Sequence, residues 1–174
     1  MKKIGILGNP VNYSYLALGS NLGNRKINIE KAKELLINNK INIIKSSSYY
    51  LSKSWPNQNF PEFLNIVLKV ELSMDVKNLF RIIKFIEKTL GRKNTKRNYP
   101  RVCDIDIIDF NGKVIDLKKN IYLKIPHSRM EFRNFVLIPL YEINKKWIHP
   151  KLKKNIVNLI AKLKDSDIRA IKQI

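Results

Sequence analysis

A chain of 174 residues that is 44% hydrophobic and 28% charged can bury a core without staples and is not a disordered polymer. Its single cysteine, Cys103, excludes an internal disulfide framework and a cysteine metal site, and no apolar run approaches the roughly 18 residues of a membrane span. The formal charge of +20 favours polyanions (nucleic acid, acidic lipid or a phosphorylated small molecule), unless Lys-rich composition has merely filled solvated positions.

The opening MKKIGILGNPVNYSY has too short an apolar stretch for a signal peptide, so the cytoplasm is the expected compartment. Residues 1–12 read as an extension of unknown role ahead of one domain over 13–174. Tyr13–Leu18 predicts a short strand ending in Gly19-Ser20-Asn21-Leu22-Gly23, followed by a helix with Ile29, Ala32, Leu35 and Leu36 on its apolar side. Asn42–Ser52, rich in Ile, Ser and Tyr, predicts a second strand, and KSWPNQNFP after it is a loop by its prolines. In Phe63–Ser73 the alternation is unbroken: Leu64, Ile66, Leu68, Val70 and Leu72 face one way, which puts Phe63 and Asn65 on the other side. Asp75 is the expected N-cap of a helix carrying Val76, Leu79, Phe80, Ile83 and Leu90, with Gly91 as its stop.

RKNTKRNY is a basic loop without apolar periodicity. Val102–Phe110 predicts the next strand, with Asn111-Gly112 as a hairpin-type turn into Lys113–Leu117. Arg129–Ile143 predicts a helix interrupted at Pro139, and a last helix is expected near Asn155–Leu163. Strand, helix, strand, strand, helix, strand is the βαββαβ order of a ferredoxin-like α+β domain, here with an additional C-terminal strand and helices.

PRVCDIDIIDF, residues 100–110, sets three acids in a segment otherwise fit for burial. Residues two apart on a strand share a face, so Asp104 and Asp106 project together, Asp109 points away, and Cys103, Ile105 and Ile107 turn inward. Two carboxylates so placed repel unless a cation lies between them, and Mg²⁺ held jointly with phosphates is one solution. A solvent-facing pair at a sheet edge is the other. Lys88, Arg92, Lys93, Lys96, Arg97 and Arg101 lead into the acids, either as phosphate ligands or as salt-bridge partners. IPHSRMEFRNF adds His127, Arg129, Arg133 and Phe135, where a histidine beside two arginines reads as a second phosphate contact. LALGSNLGNR lacks the Gly-Lys-Ser/Thr end of a Walker loop.

Taken in order, LALGSNLGNR, FLNIVLKVE, PRVCDIDIIDF and IPHSRMEFRNFVLIPLYEI resemble the 6-hydroxymethyl-7,8-dihydropterin pyrophosphokinase family, from about Tyr15 to Pro150. The resemblance implies a ferredoxin-like fold and transfer of pyrophosphate from ATP to the pterin hydroxymethyl group, with release of AMP, in tetrahydrofolate synthesis. It implies two Mg²⁺ ions on Asp104 and Asp106, which with Arg92 and Arg101 form the catalytic set. ATP contacts fall to Glu87, Arg92, Arg101, His127 and Arg133, and to the backbone of Ile107 at the adenine. The pterin ring lies between Phe63 and Phe135, Asn65 reads its edge, and Ser52 and Trp55 stand near it.

This sequence departs from the family in both lid loops. Trp55 replaces an aliphatic residue in KSWPNQNFP, and the loop Arg92–Tyr99 is one residue shorter, with Asn98 at the usual tryptophan position. A monomer with only small-molecule partners is expected. The rival reading, a nucleic-acid-binding α+β module, needs an RNP-like aromatic pattern that the sequence lacks. A degenerate member that binds pterin without reacting is opposed by Arg101, Asp104, Asp106 and His127.

Overall fold

The alternation of Leu64 through Leu72 becomes β4 (Phe63–Leu72), the strand around which the sheet is built. In the computed structural model, which describes residues 10–55, 57–92, 99–118 and 121–174, β4 pairs antiparallel with β1 (Asn12–Ser20) on one side. On its other side it pairs with β2 (Ile41–Ser46) and β3 (Tyr50–Ser52). β5 (Asp104–Phe110) joins the free side of β1, also antiparallel. With α1 (Arg25–Asn38) and α2 (Val76–Thr89) as the two connecting helices, the arrangement is the expected ferredoxin-like one. Residues 1–9 of the N-terminal extension and the basic loop residues Lys93, Lys96, Arg97 and Asn98 lie outside the described residues.

One strand was expected over Asn42–Ser52, and two are found. The serines between them take the backbone's partners: Ser47 Oγ accepts from Val67 N–H at 2.9 Å and donates to Ser48 O at 2.8 Å, which interrupts the ladder. Asp75 caps α2 as its sequence predicts, accepting from Asn78 N–H at 2.8 Å. Gly91 stops that helix with φ +91°, a conformation glycine adopts without strain.

The sheet has two unlike faces. On one, Leu16, Leu18 and the five inward residues of β4 pack under α1 and α2 in the larger core. On the other, α3 (Asn134–Ile143) and α4 (Ile156–Ile160) cover Tyr15, Val67 and Ile108, the middle and far end of the sheet. The near end of that face, carrying Gly19, Phe63 and Asn65, is left open, and this is what places a site there.

Several expectations are corrected. The helix expected over Arg129–Ile143 is a 3₁₀ turn at Met130–Phe132, an extended Arg133, and then α3. Pro139 does not interrupt α3 but sits buried inside it. The loss of one helical hydrogen bond is offset by burial of Val136, Leu137, Leu140 and Ile143 against the sheet. Asn111 and Gly112 do form a tight turn, both with positive φ, yet β6 (Ile115–Leu117) pairs with β7 (Leu123–Ile125) instead of folding back on β5. The last helix is shorter than expected, and α5 (Asp165–Arg169) and the edge strand β8 (Lys172–Gln173) follow it.

Asp109 is the most instructive correction. Leu16 pairs with Ile107 but Tyr15 pairs with Asp109, so β5 carries an extra residue in a bulge at Ile108. The bulge turns Asp109 onto the face of Asp104 and Asp106 rather than away from it. There it is buried, accepting from Trp147 Nε1–H at 2.8 Å and Gly112 N–H at 2.7 Å.

Two buried titratable groups lie outside the open end, and one of them responds to pH. Burial pushes the Cys103 thiol up to about 12, so it stays protonated and shielded in the folded chain. His149 is buried, with Nδ1 accepting from Lys151 N–H (3.2 Å) and Leu152 N–H (3.1 Å), and burial pulls its pKa below the usual imidazole value. The unfolded chain therefore binds the proton first. The contribution of His149 is full above pH ~6.5 and is lost as pH falls, by at most about 1.4 kcal/mol per pH unit. Urea midpoints against pH will show this slope, and His149→Gln will remove its share of it.

Candidate active site

Strand register aligns the site residues in rows. Gly19 on β1 faces Asn65 on one side and Asp104 on the other, while Asn65 faces Tyr50 on β3. In the next row Ala17 lies between Val67 and Asp106. Asn65 and Asp104 are thus two strands apart, about 10 Å at the usual ~4.8 Å strand spacing. Between them Gly19 contributes no side chain: a Cβ there would lie 3.2 Å from Asn65 Oδ1 and 3.4 Å from the Phe63 ring.

Over this floor lies a cavity of about 500 Å³. Ser52, Trp55, Phe63, Asn65, Arg101, Asp104, Asp106, Arg133 and Phe135 all line it, which gathers nine of the thirteen expected site residues in one space. Its two ends differ in chemistry. One is aromatic and amide; the other is carboxylate and guanidinium.

At the amide end, Asn65 Nδ2 donates to Ser52 Oγ (2.9 Å) and to the Tyr50 carbonyl (3.2 Å). A carbonyl can only accept, so the amide has one orientation, and Oδ1 is the atom left to accept from a ligand. The Arg133 guanidinium stacks 5.5 Å from the Phe135 ring centre, and Arg129 stands 5.8 Å from that of Trp55.

At the charged end the acids and bases pair. Arg92 and Arg101 each donate to Asp104, at 2.6 and 2.7 Å, and Arg133 donates to Asp106 at 3.0 Å. Burial alone would raise the Asp104 pKa, but the Arg101 and Arg92 charges outweigh it and hold the carboxyl below the ordinary range. Glu87, buried behind Asp104, accepts from Ile105 N–H (2.9 Å) and Lys84 (2.8 Å) and pairs with Arg92. Burial pushes its carboxyl up, and Lys84 only partly offsets this. Glu87 and Arg92 do not line the cavity; Arg92 meets its edge at Asp104, with Glu87 behind it.

His127 is half-buried beside the charged end. Burial, with Arg133 and Arg129 nearby, lowers its pKa despite the Asp106 charge. Its Nδ1 accepts from Arg129 N–H at 3.3 Å, which leaves Nε2–H as a donor. Ile107 has its side chain in the core; because β5 ends the strand order, only its backbone is available to a ligand.

Among the described residues no group of three or more His, Cys, Asp or Glu side chains could hold a metal by itself. Asp104 and Asp106 are two hard oxygen donors, each paired with arginine. That set suits Mg²⁺ when a polyphosphate completes the coordination shell.

Sequence reading missed two contributors. Gly19 forms the floor, and the only signal was its position in a Gly-rich strand end. Asn21, buried, exchanges hydrogen bonds with the backbone N–H and carbonyl of Arg101 and donates to Ser54 Oγ and the Pro61 carbonyl. It ties the loop after β3 to a cavity arginine, which only tertiary structure reveals.

The family model described as 7,8-dihydro-6-hydroxymethylpterin-pyrophosphokinase matches residues 15–145. The chain is 43% identical over 140 residues to 2-amino-4-hydroxy-6-hydroxymethyldihydropteridine pyrophosphokinase of Aquifex aeolicus, covering 80% of this chain and 85% of that protein. The Bacillus subtilis protein of the same name is 36% identical over 133 residues, or 76% and 78% of the two lengths. The folic acid synthesis protein fol1 of Pneumocystis carinii is 37% identical over 90% of this chain, which spans only 21% of that longer protein. Among solved structures, Plasmodium falciparum HPPK-DHPS with pteroate matches 95% of this chain and 46% of its own, at TM-score 0.74 and 19% identity, a likeness of fold.

Proposed function

The chain belongs to the 7,8-dihydro-6-hydroxymethylpterin-pyrophosphokinase family, and from that premise we propose that it transfers pyrophosphate from ATP to 6-hydroxymethyl-7,8-dihydropterin in folate synthesis, releasing AMP. The observation that carries the reading is the two-ended cavity. An amide with a free acceptor and two aromatic rings stand at one end, and arginine-paired carboxylates at the other.

The pterin is a flat heterocycle with N–H groups along one edge. Phe63 and Phe135 offer faces for stacking, and Asn65 Oδ1, fixed by Ser52 and Tyr50, accepts from that edge. Trp55 borders the same end from the loop after β3. The hydroxymethyl group then points along the floor over Gly19 toward the acids.

Asp104 and Asp106 are the proposed holders of two Mg²⁺ ions. With ATP bound, Mg²⁺ held by these two carboxylates would offset negative charge on the phosphates. Arg92, Arg101 and Arg133 exchange part of their carboxylate contact for phosphate oxygens, keeping the site near neutrality as the nucleotide enters. His127 donates Nε2–H to the same oxygens, Glu87 keeps Arg92 aligned, and the Ile107 backbone serves the adenine. The substrate hydroxyl oxygen bonds to the β-phosphorus of a chain held in line, and the bond from that phosphorus to the α–β bridging oxygen breaks to release AMP. The hydroxyl proton is lost to solvent. The rate comes from positioning and fixed charge rather than from a protein nucleophile. A cytoplasmic monomer acting on small molecules completes the proposal. Among the described residues, no helix is long and apolar enough to cross a membrane.

Incubating the protein with ATP, Mg²⁺ and the pterin, and following AMP and the pterin diphosphate in equal amounts, tests the reading; absence of AMP overturns it. The floor gives a second expectation. Gly19→Val should raise KM for the pterin by about tenfold or more while KM for ATP changes little, because a well-packed wall accepts extra methyl groups poorly.

A further inference from the structure

The family model ends at residue 145, yet two residues far beyond it, Asp167 and Ala170, line the cavity. They belong to the segment 165–174, in which Ala170 and Ile171 join α5 to β8 and Ile174 follows. α5 buries none of its residues fully; Ile168 packs against the smaller core, and hydrogen bonds hold the rest of the segment.

Its attachments are specific. Asn134 Nδ2 donates to the Asp167 carbonyl at 2.6 Å, and Asn134 is the neighbour of Phe135. β8 adds to the edge of β3, pairing Gln173 with Tyr50 and Lys172 with Leu51. Ile174 N–H donates to the Tyr49 carbonyl (3.0 Å), and Gln173 Nε2 donates to Ser48 Oγ (3.0 Å), which itself donates to Glu142 of α3. The segment therefore bridges the start of α3, where Phe135 sits, and β3, whose Ser52 hydroxyl and Tyr50 carbonyl orient Asn65.

We propose that the segment 165–174 is the outer wall of the heterocycle end of the cavity. It positions Phe135 and Asn65 relative to each other and presents Asp167 to the ligand. The inference rests on the pterin reading above. It assigns no chemistry to the segment: its residues are positioning residues, and their effect falls on one substrate only. Without the bridge, the edge reader and the ring wall move independently, and the ligand must order them on binding.

The test uses the full chain, a chain ending at Lys164, and the full chain with Lys172→Pro, which removes the β8 donor and disturbs its pairing with β3. For each, kcat, both KM values, the melting temperature and calorimetric binding of 6-hydroxymethylpterin are measured. The expected result is a weakening of pterin binding, in KM and in calorimetry, of about tenfold in both variants. KM for ATP should stay within about twofold and the fold should remain intact. Asp167→Ala should show a smaller change in the same constant. Unchanged pterin affinity in a folded variant overturns the inference while leaving the pyrophosphokinase reading intact. A parallel loss of ATP affinity, pterin affinity and melting temperature also overturns it, by showing a purely structural role. If the shortened chain does not fold, Lys172→Pro and Asp167→Ala decide alone. Absence of AMP from the unaltered chain fails the pyrophosphokinase reading instead, and the calorimetric comparison still decides the wall.

Discussion

Asp104→Ala should lower the rate of AMP formation by about 10³-fold, the scale seen when a preorganised charged contact to a reacting group is removed. Asp104 receives Arg92 and Arg101 at once and is held ionised by them, so its loss removes a hard oxygen ligand and frees two cations together. Arg92 would turn wholly to Glu87, drawing it back from the cavity. Asp106→Ala should cost about 10²-fold or more, since only Arg133 loses its partner. Asp104→Asn separates charge from shape: it keeps the volume and should behave nearly as badly as alanine. Steady-state AMP release at saturating ATP, repeated over a Mg²⁺ titration, checks all three. Both acid variants should need more Mg²⁺ for half-maximal rate and remain folded by circular dichroism. Full activity in Asp104→Ala would remove the acids from the mechanism.

The part of the site that sequence revealed is the part governed by the two-residue period of a strand. Phe63 and Asn65 were recognisably off the core face because five apolar residues of β4 alternate with them, and Asp104 and Asp106 share a face for the same reason. The same rule failed at Asp109, because a bulge depends on how many residues the partner strand offers, and β1 cannot be counted from β5 alone. Pro139 misled in a similar way. Its local penalty is visible in the sequence, while the burial of α3 that outweighs it is not. Gly19, Asn21 and Asp167 lie in elements whose neighbours are set by topology, and no spacing marks them. The lowered pKa of His127 follows from burial near Arg133 and Arg129 against the opposing charge of Asp106, a balance that residue types alone do not fix.

Asp109→Ala should show the opposite signature to Asp104→Ala: a less stable protein with unchanged chemistry. The carboxylate accepts from the Trp147 indole and from Gly112 N–H, and the residue is 4% exposed, so alanine leaves two donors with no partner and no ready water. Each orphaned donor costs about 1–3 kcal/mol, for a loss of about 3 kcal/mol in all. At ~2–4 °C per kcal/mol for a chain of this size, the melting temperature should fall by about 6–12 °C. Asp109→Asn keeps one acceptor oxygen but turns an NH₂ group toward a donor, so it should recover only part of the loss. Neither variant should shift the Mg²⁺ midpoint or either KM when rates are scaled to folded protein. Asp109 shares a face with the other two acids, but α4 and Trp147 close over its end of the sheet, whereas Gly19 keeps theirs open. A displaced Mg²⁺ midpoint in Asp109→Asn would mean that the third acid reaches the metal. In that case the bulge at Ile108 would be a device for aiming a ligand rather than for securing the turn that follows it.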